Sequence, residues 1–286
     1  IKLQDAQLRQ QYIYEVAATW LACGLDPTNT LFYRQSAVPE IMELNWILNT
    51  VAAKGLLNRA HAYKDRVAKN EGDNQDPDYG ITMGLFCYPV LMAADILAFN
   101  ARYIPVGKDQ VQHLEIARDI AARFNHIYQT EMFVLPEAVV DKNKESIVGL
   151  DGRKMSKSYH NTIPLFTTTK KLRKQIMKIV TNSQLPGEPK DPADCNIFSL
   201  YQVFATTEEV TALKQAYIEG IGWGEAKERL YQCIEARLAQ PRERYFALIE
   251  DHAYIDQCLA EGAARARAIA APILAQVKKK VGLSAA

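Results

Sequence analysis

The 286-residue sequence predicts an α/β fold, a doubly wound parallel sheet followed by an all-helical region. Three observations carry that prediction. Up to about residue 165, short β-prone segments alternate with longer ones whose apolar residues recur at helical spacing, the order that builds a parallel sheet. From about 167 onward every periodic segment is helical. The composition, 48% hydrophobic and 23% charged, is that of an ordinary globular chain, and the length suits about two domains of roughly 100–200 residues each. The boundary is placed near 165, giving regions 1–165 and 166–286.

The elements follow in order. Leu8, Tyr12, Val16 and Trp20 recur every four residues, and Gly24 supplies a stop, so a helix is expected over 7–23. "TLFYRQS" (30–36) reads as a short buried strand. Pro39 and Glu40 open a helix over 38–52 as helix starts prefer. Its apolar residues Ile41, Met42, Leu44, Trp46, Ile47, Leu48 and Val51 cover most of the circumference, which predicts burial on two sides and a second subunit, hence a homodimer. Residues 64–80, polar and punctuated by Gly and Pro, read as a mobile loop. A buried helix (81–99), a strand (102–107), a helix (109–128) and a strand (132–140) follow. Beyond 165 come a helix over 167–181, one over 207–220 with Thr206 and Glu209 at capping-box spacing, and two or three long helices to the end.

Composition narrows the function classes. A formal charge of +1 means that any polyanionic partner must be met by local basic patches. Cys23, Cys87, Cys195, Cys233 and Cys258 are odd in number and lack a Cys-x-x-Cys pair, so neither a disulfide framework nor a zinc site is expected, and a reducing, cytoplasmic location is. The longest apolar run, 84–99, is interrupted by Pro89 and Asp95 and is too short to span a bilayer comfortably, so no membrane segment is expected. The opening "IKLQDAQLRQ" has neither an initiator Met nor a signal pattern, and reads as a chain met partway through.

In a doubly wound sheet, ligands bind beyond the carboxyl ends of the strands. Three segments fall there: "RQS" (34–36), "GKDQ" (107–110) and "GLDGRKMSKS" (149–158). Gly107 permits close backbone approach. Asp109 is either an N-cap or a carboxylate for a ribose diol. Asp95, among apolar neighbours, needs a partner, which is either an internal Arg or Lys or a polar group on an otherwise apolar ligand. Tyr88 and Met92 share its helical face if the helix runs through all three. Lys154 and Lys157 belong either to a solvated basic loop or to an anion-binding one. Lys170, Lys174 and Lys178, at four-residue intervals, form a basic stripe that is either solvated or fitted to a phosphate backbone.

The order "KMSKS" (154–158) resembles the signature loop of class I aminoacyl-tRNA synthetases. With "LACGLDP", "FYRQSAVPE", "GLLNRAHAYK", "YPVLMAADIL", "VGKDQVQHLEIARD" and "GLDGRKMSKSYHNTIPLF" it makes the chain similar, over nearly its whole length, to bacterial tryptophanyl-tRNA synthetases. That resemblance implies a Rossmann-like catalytic domain (1–165) and a helical anticodon-binding domain (166–286). It also implies an enzyme, a tryptophan–tRNA ligase that uses ATP with Mg²⁺ to activate L-tryptophan and passes it to tRNA(Trp). It places Asp95 on the indole N–H, with Met92, Ile104 and Val106 around the ring; tyrosyl relatives commonly carry Gln where Met92 stands. Tyr88 and Gln110 hold the α-amino group. The ATP set comprises Gly107, Asp109, Gln110, Val148, Lys154, Met155, Ser156 and Lys157, with Asp109 on the ribose, Met155 and Val148 at adenine, and Lys154 and Lys157, the catalytic pair, on the phosphates. Lys64 and Arg66 add phosphate contacts, and no metal is bound by the protein itself. One feature departs from the pattern: none of His61, His113, His126, His160 or His252 is followed by the Gly of the class I His signature. In the resembling family that signature precedes the segment with which this sequence opens, so either the first βα unit lies upstream of Ile1 or the protein lacks half of its ATP site. The alternatives are a non-catalytic tRNA-binding or regulatory paralogue, and a tyrosyl enzyme.

Overall fold

The structure is a computed structural model that describes residues 5–140, 147–193 and 195–283. Expectations touching residues 1–4, 141–146, 194 and 284–286, among them the reading of the first residues, lie outside the described residues. The chain forms two compact units. One gathers Ile1–Gln11, Asp26–Lys144 and Ala253–Ala286, and the other Tyr12–Leu25 and Glu145–His252.

Helix α1 (Ala6–Ala22) opens the described chain. In the first unit, α2 (Pro39–Val51) starts on Pro39 and buries Ile41, Leu44, Ile47, Leu48 and Val51, while Trp46 stays 73% exposed and Met42 39%. The short α3 (Lys54–Leu57) leads to α4 (His61–Gly72) and α5 (Met83–Leu97), whose N-cap Thr82 accepts the Leu85 N–H. Strand β1 (Tyr103–Val106), α6 (Val111–Ile127) and β2 (Glu137–Val140) follow. β1 and β2 pair in parallel, Tyr103 opposite Glu137 through Val106 opposite Val140. Because alternate strand residues face opposite sides, Ile104 and Val106 turn together towards the core and Tyr103 and Pro105 towards solvent.

The expected α/β class is found, with three corrections. Residues 30–34 are irregular and 35–37 form a 3₁₀ turn, not a strand. The physical reason lies far along the sequence, in the last helix, α11 (His252–Lys280). The Arg265 guanidinium donates to the carbonyls of Pro27, Thr28 and Thr30, taking bonds that a strand would give a neighbour. Gly262 lets α11 press against Phe32, since a Cβ there would overlap its carbonyl oxygen. The second correction is the supposed loop over 64–80, which is helical through Gly72. Asn70, 1% exposed, then closes the following turn by donating to the carbonyls of Pro77 and Tyr79, both at 2.8 Å. The strand expected over 132–140 is shorter because Asn100 and Asn125 side chains occupy the backbone groups of 132–134.

Among its described residues the second unit has helices, a 3₁₀ turn (Lys157–Tyr159) and one isolated bridge, Val148 with Lys154. Its helices α7 (Thr169–Ile176), α8 (Asn196–Phe204), α9 (Thr207–Ile218) and α10 (Trp223–Glu250) enclose a core of Leu172, Ile176, Ile197, Tyr217, Leu230 and their neighbours. The Thr206/Glu209 capping box forms as expected, whereas α8 had no counterpart in the sequence reading.

Candidate active site

The predicted site residues divide between the units. The first carries Arg66, Tyr88, Met92, Asp95, Ile104, Val106, Gly107, Asp109 and Gln110; the second carries Val148, Lys154, Met155, Ser156 and Lys157.

In the first unit, α5 runs through Tyr88, Met92 and Asp95, so the three share one helical face. Asp95 is half-buried, and its partner is a neutral amide rather than an arginine or lysine: Gln35 Nε2 donates to Oδ1 at 2.8 Å and Oδ2 at 2.9 Å. Burial pushes the carboxyl above the usual range and the Gln35 bond pulls it partly back. The same burial, aided by the Asp95 charge, raises the Tyr33 phenol to about 12. Met92, Ile104 and Val106 are half-buried apolar groups against this unit's core, so a carboxylate and an apolar wall belong to one unit. The Tyr88 hydroxyl lies 2.8 Å from Nε2 of His113, which α6 buries to 6% exposure.

Asp109 stands in the 3₁₀ turn Lys108–Gln110 and does not cap α6, whose N-cap is Gln110 with no side-chain capping bond. Gln110 Nε2 donates to Asp109 Oδ2 at 3.0 Å, and a Cβ on Gly107 would come within 2.7 Å of Asp109 Oδ1. Gly107 therefore lets the Asp109 carboxylate lie directly against the backbone, in space that a side chain at 107 would take. Arg66 lays its guanidinium beside Gly80, where a Cβ would approach to 3.0 Å.

In the second unit, the lysine loop is built locally. Val148 and Lys154 form an antiparallel bridge, with Met155 N–H donating to Ile147 O at 2.8 Å and Gly149 N–H to Arg153 O at 2.7 Å. Val148 and Met155 are half-buried against the core of this unit. Lys154 and Lys157 are exposed; Lys157 Nζ lies 5.7 Å from the centroid of the Tyr12 ring. Asn161, 3% exposed, holds the loop together. It accepts the Ser156 N–H at 2.8 Å and donates to Asp151 Oδ1 at 2.7 Å and to Lys154 O at 3.2 Å. The Asn161 bond is the main reason the Asp151 carboxyl falls to about 2, helped by Arg153. Two cationic ammoniums are thus carried on a loop whose backbone is fixed by a buried amide.

Sequence reasoning missed three of these residues. Gln35 stands in the "RQS" segment, His113 in "VQHLE" and Asn161 at the end of the basic stretch, and nothing local to any of the three announces its partner. A polar residue beside a buried functional side chain was the available signal, but the pairings span up to 60 residues. Of the basic stripe, Lys170 and Lys174 are exposed on α7, while Lys178 is exposed in the turn beyond it. Among the described residues no helix is long and apolar enough to cross a membrane, and no group of three or more His, Cys, Asp or Glu stands together as a metal site.

A parallel strand pair flanked by helices, followed by a lysine-bearing loop and a helical unit, is the arrangement of a class I synthetase. Residues 2–239 match the family of tRNA synthetases class I (W and Y), and the chain belongs to it. Within that family, it is 56% identical to the tryptophan–tRNA ligase of Pseudomonas aeruginosa over 99% of this chain and 64% of that relative. It is 53% identical to that of Neisseria meningitidis serogroup A, over 99% and 84% respectively. The chain spans about two thirds of the length of most of these curated relatives. The crystal structure of the Campylobacter jejuni tryptophanyl-tRNA synthetase, complexed with ADP and tryptophan, superposes with a TM-score of 0.87 at 44% identity, covering 98% of this chain and 86% of that one.

Proposed function

We propose that the protein is a tryptophan–tRNA ligase. The observation that carries this reading is Asp95: a half-buried carboxylate with a neutral partner, on one helical face with Tyr88 and Met92 and in a unit that offers an apolar wall. An ionised acceptor in such surroundings suits one N–H on a flat apolar ring, because leaving that donor unpaired would cost the complex dearly. Ile104 and Val106, with Met92, bound the indole; Tyr88 and Gln110 take the α-ammonium, and Asp109 the ATP ribose. Val148 and Met155 meet adenine, and Ser156, Gly107 and Arg66 complete the nucleotide contacts.

The chemistry needs no general base, since the tryptophan carboxylate is already a nucleophile. Its oxygen attacks the α-phosphorus in line, an acyl–phosphate bond forms, and the bond to the β-phosphate breaks to release pyrophosphate. Lys154 and Lys157 stabilise the charge that gathers on the departing phosphates, so catalysis is positioning plus electrostatic stabilisation. Mg²⁺ arrives as part of the ATP substrate. A hydroxyl of the terminal tRNA ribose then attacks the acyl carbon and AMP leaves.

Residues 1–165 serve catalysis in this reading and 166–286 hold tRNA(Trp), with Lys170 and Lys174 offering phosphate contacts. The exposed Trp46 and Met42 of α2 support a homodimer, which sedimentation at micromolar concentration tests. Five free cysteines fit a cytoplasmic location. The deciding experiment is ATP–pyrophosphate exchange in the full protein. Exchange with tryptophan and not tyrosine is expected. Exchange with tyrosine alone overturns the specificity, and none with either favours the non-catalytic paralogue.

A further inference from the structure

His113 is buried at the start of α6, and its ring is poorly provided for. Nε2 lies 2.8 Å from the Tyr88 hydroxyl, the two rings meeting edge to face with centroids 5.0 Å apart. Nδ1 is buried and has no hydrogen-bond partner among the described residues. A ring nitrogen stranded in this way costs stability, and an apolar side chain could fill the space without that cost. The stranded nitrogen also has a chemical consequence: no group on Nδ1 fixes the tautomer, so the bond to Tyr88 can run in either direction.

The direction decides what Tyr88 offers a ligand. If Nε2–H donates, the Tyr88 proton must point elsewhere, and an approaching ammonium meets a donor. If Nε2 accepts the Tyr88 proton, both phenolic lone pairs turn outward and receive an ammonium N–H. We propose that His113 is a positioning residue for the substrate's α-ammonium: its neutral ring, protonated at Nδ1, accepts a hydrogen bond from the Tyr88 hydroxyl at Nε2, so that the Tyr88 oxygen accepts from the ligand. This deepens the reading of Tyr88 given above and rests on it.

The surroundings agree. Burial, first, and then His61 at the start of α4 hold the His113 ring in its neutral form, opposed by Asp109 in the turn before α6; its pKa lies below the ordinary 6.5. A ring protonated in acid can no longer accept, and it adds a like charge near the ammonium. Tryptophan affinity should therefore fall as pH drops through the lowered value, on the acid side of 6.5.

The test uses calorimetric binding of two ligands to the full protein: tryptophan, and indole-3-propionate, which keeps the ring and carboxylate but has no ammonium. His113→Leu should weaken tryptophan about tenfold, the loss of one hydrogen bond to a charged group, and leave indole-3-propionate unchanged. His113→Gln, whose carbonyl oxygen can accept the Tyr88 proton, should recover most of that affinity and abolish the acid-side fall. In a Tyr88→Phe background the His113→Leu loss should vanish. The proposal is overturned if both ligands weaken equally, if the acid-side fall survives in His113→Gln, or if the loss persists without the Tyr88 hydroxyl. Should His113→Leu not fold, the pH profile of His113→Gln decides alone. Failure of the unmodified protein to bind tryptophan at all would instead bring down the proposed function, and this inference with it.

Discussion

Asn161→Ala removes the side chain on which the lysine loop is hung. It abolishes the bond accepted from Ser156 N–H at 2.8 Å and the one donated to Lys154 O at 3.2 Å, both beneath the surface. Two such neutral bonds are worth roughly 0.5–1.5 kcal/mol each, so the ordered loop should lose about 1–3 kcal/mol relative to its open forms. Amide hydrogen exchange at Ser156 and Met155 should quicken roughly ten- to a hundredfold, while amides of α10 keep their protection. The carboxyl of Asp151 gives a second readout. Its pKa, about 2 with Asn161 in place, should climb towards 3.8 but stay below it, because Arg153 remains. A depressed carboxylate contributes stability that is present above 3.8 and lost as pH falls through about 2; in the variant that loss should move to higher pH. Unchanged exchange together with an unchanged Asp151 titration would refute the claim that Asn161 holds the loop.

Other consequences follow from the first unit and the loop. Asp95→Asn should cost about 1–3 kcal/mol of tryptophan affinity by calorimetry, and unaltered affinity would detach Asp95 from the indole. Because burial raises the Asp95 pKa, the carboxyl's contribution to stability is full below 3.8 and is lost as pH rises through its folded-state value. Gln35→Leu removes the bond that opposes this shift, so Asp95 should titrate higher still by NMR; a fall would contradict the pairing. Gly262→Ala should lower stability by about 1–3 kcal/mol through overpacking against Phe32, and an unchanged Tm would deny the close approach of α11. Lys157→Ala should slow ATP–pyrophosphate exchange about a hundredfold while sparing tryptophan binding, and a loss of tryptophan binding instead would misplace the loop's role.

What could be read from the sequence was what local chemistry dictates. Pro39 and Glu40 marked the start of α2, the Thr206/Glu209 spacing the capping box of α9, and the spacing of Tyr88, Met92 and Asp95 one face of α5. The lysine pair was legible because its order, not its charge, is unusual. The remainder depended on distant partners. Residues 30–34 have strand-like side chains, but Arg265, more than 230 residues on, takes their neighbours' carbonyls. Helix α4 shows no apolar stripe, having a single buried residue, Asn70, so periodicity had nothing to register. Gln35 beside Asp95 and His113 beside Tyr88 are tertiary pairings that no window of sequence contains.

The most direct test of Asp95 as the indole reader is the proton resonance of ¹⁵N-indole-labelled tryptophan bound to the full protein. A downfield N–H signal protected from solvent exchange is predicted, shifting and losing that protection in Asp95→Asn. The same signal in both proteins, or an indole N–H that exchanges freely in the unmodified one, would contradict it.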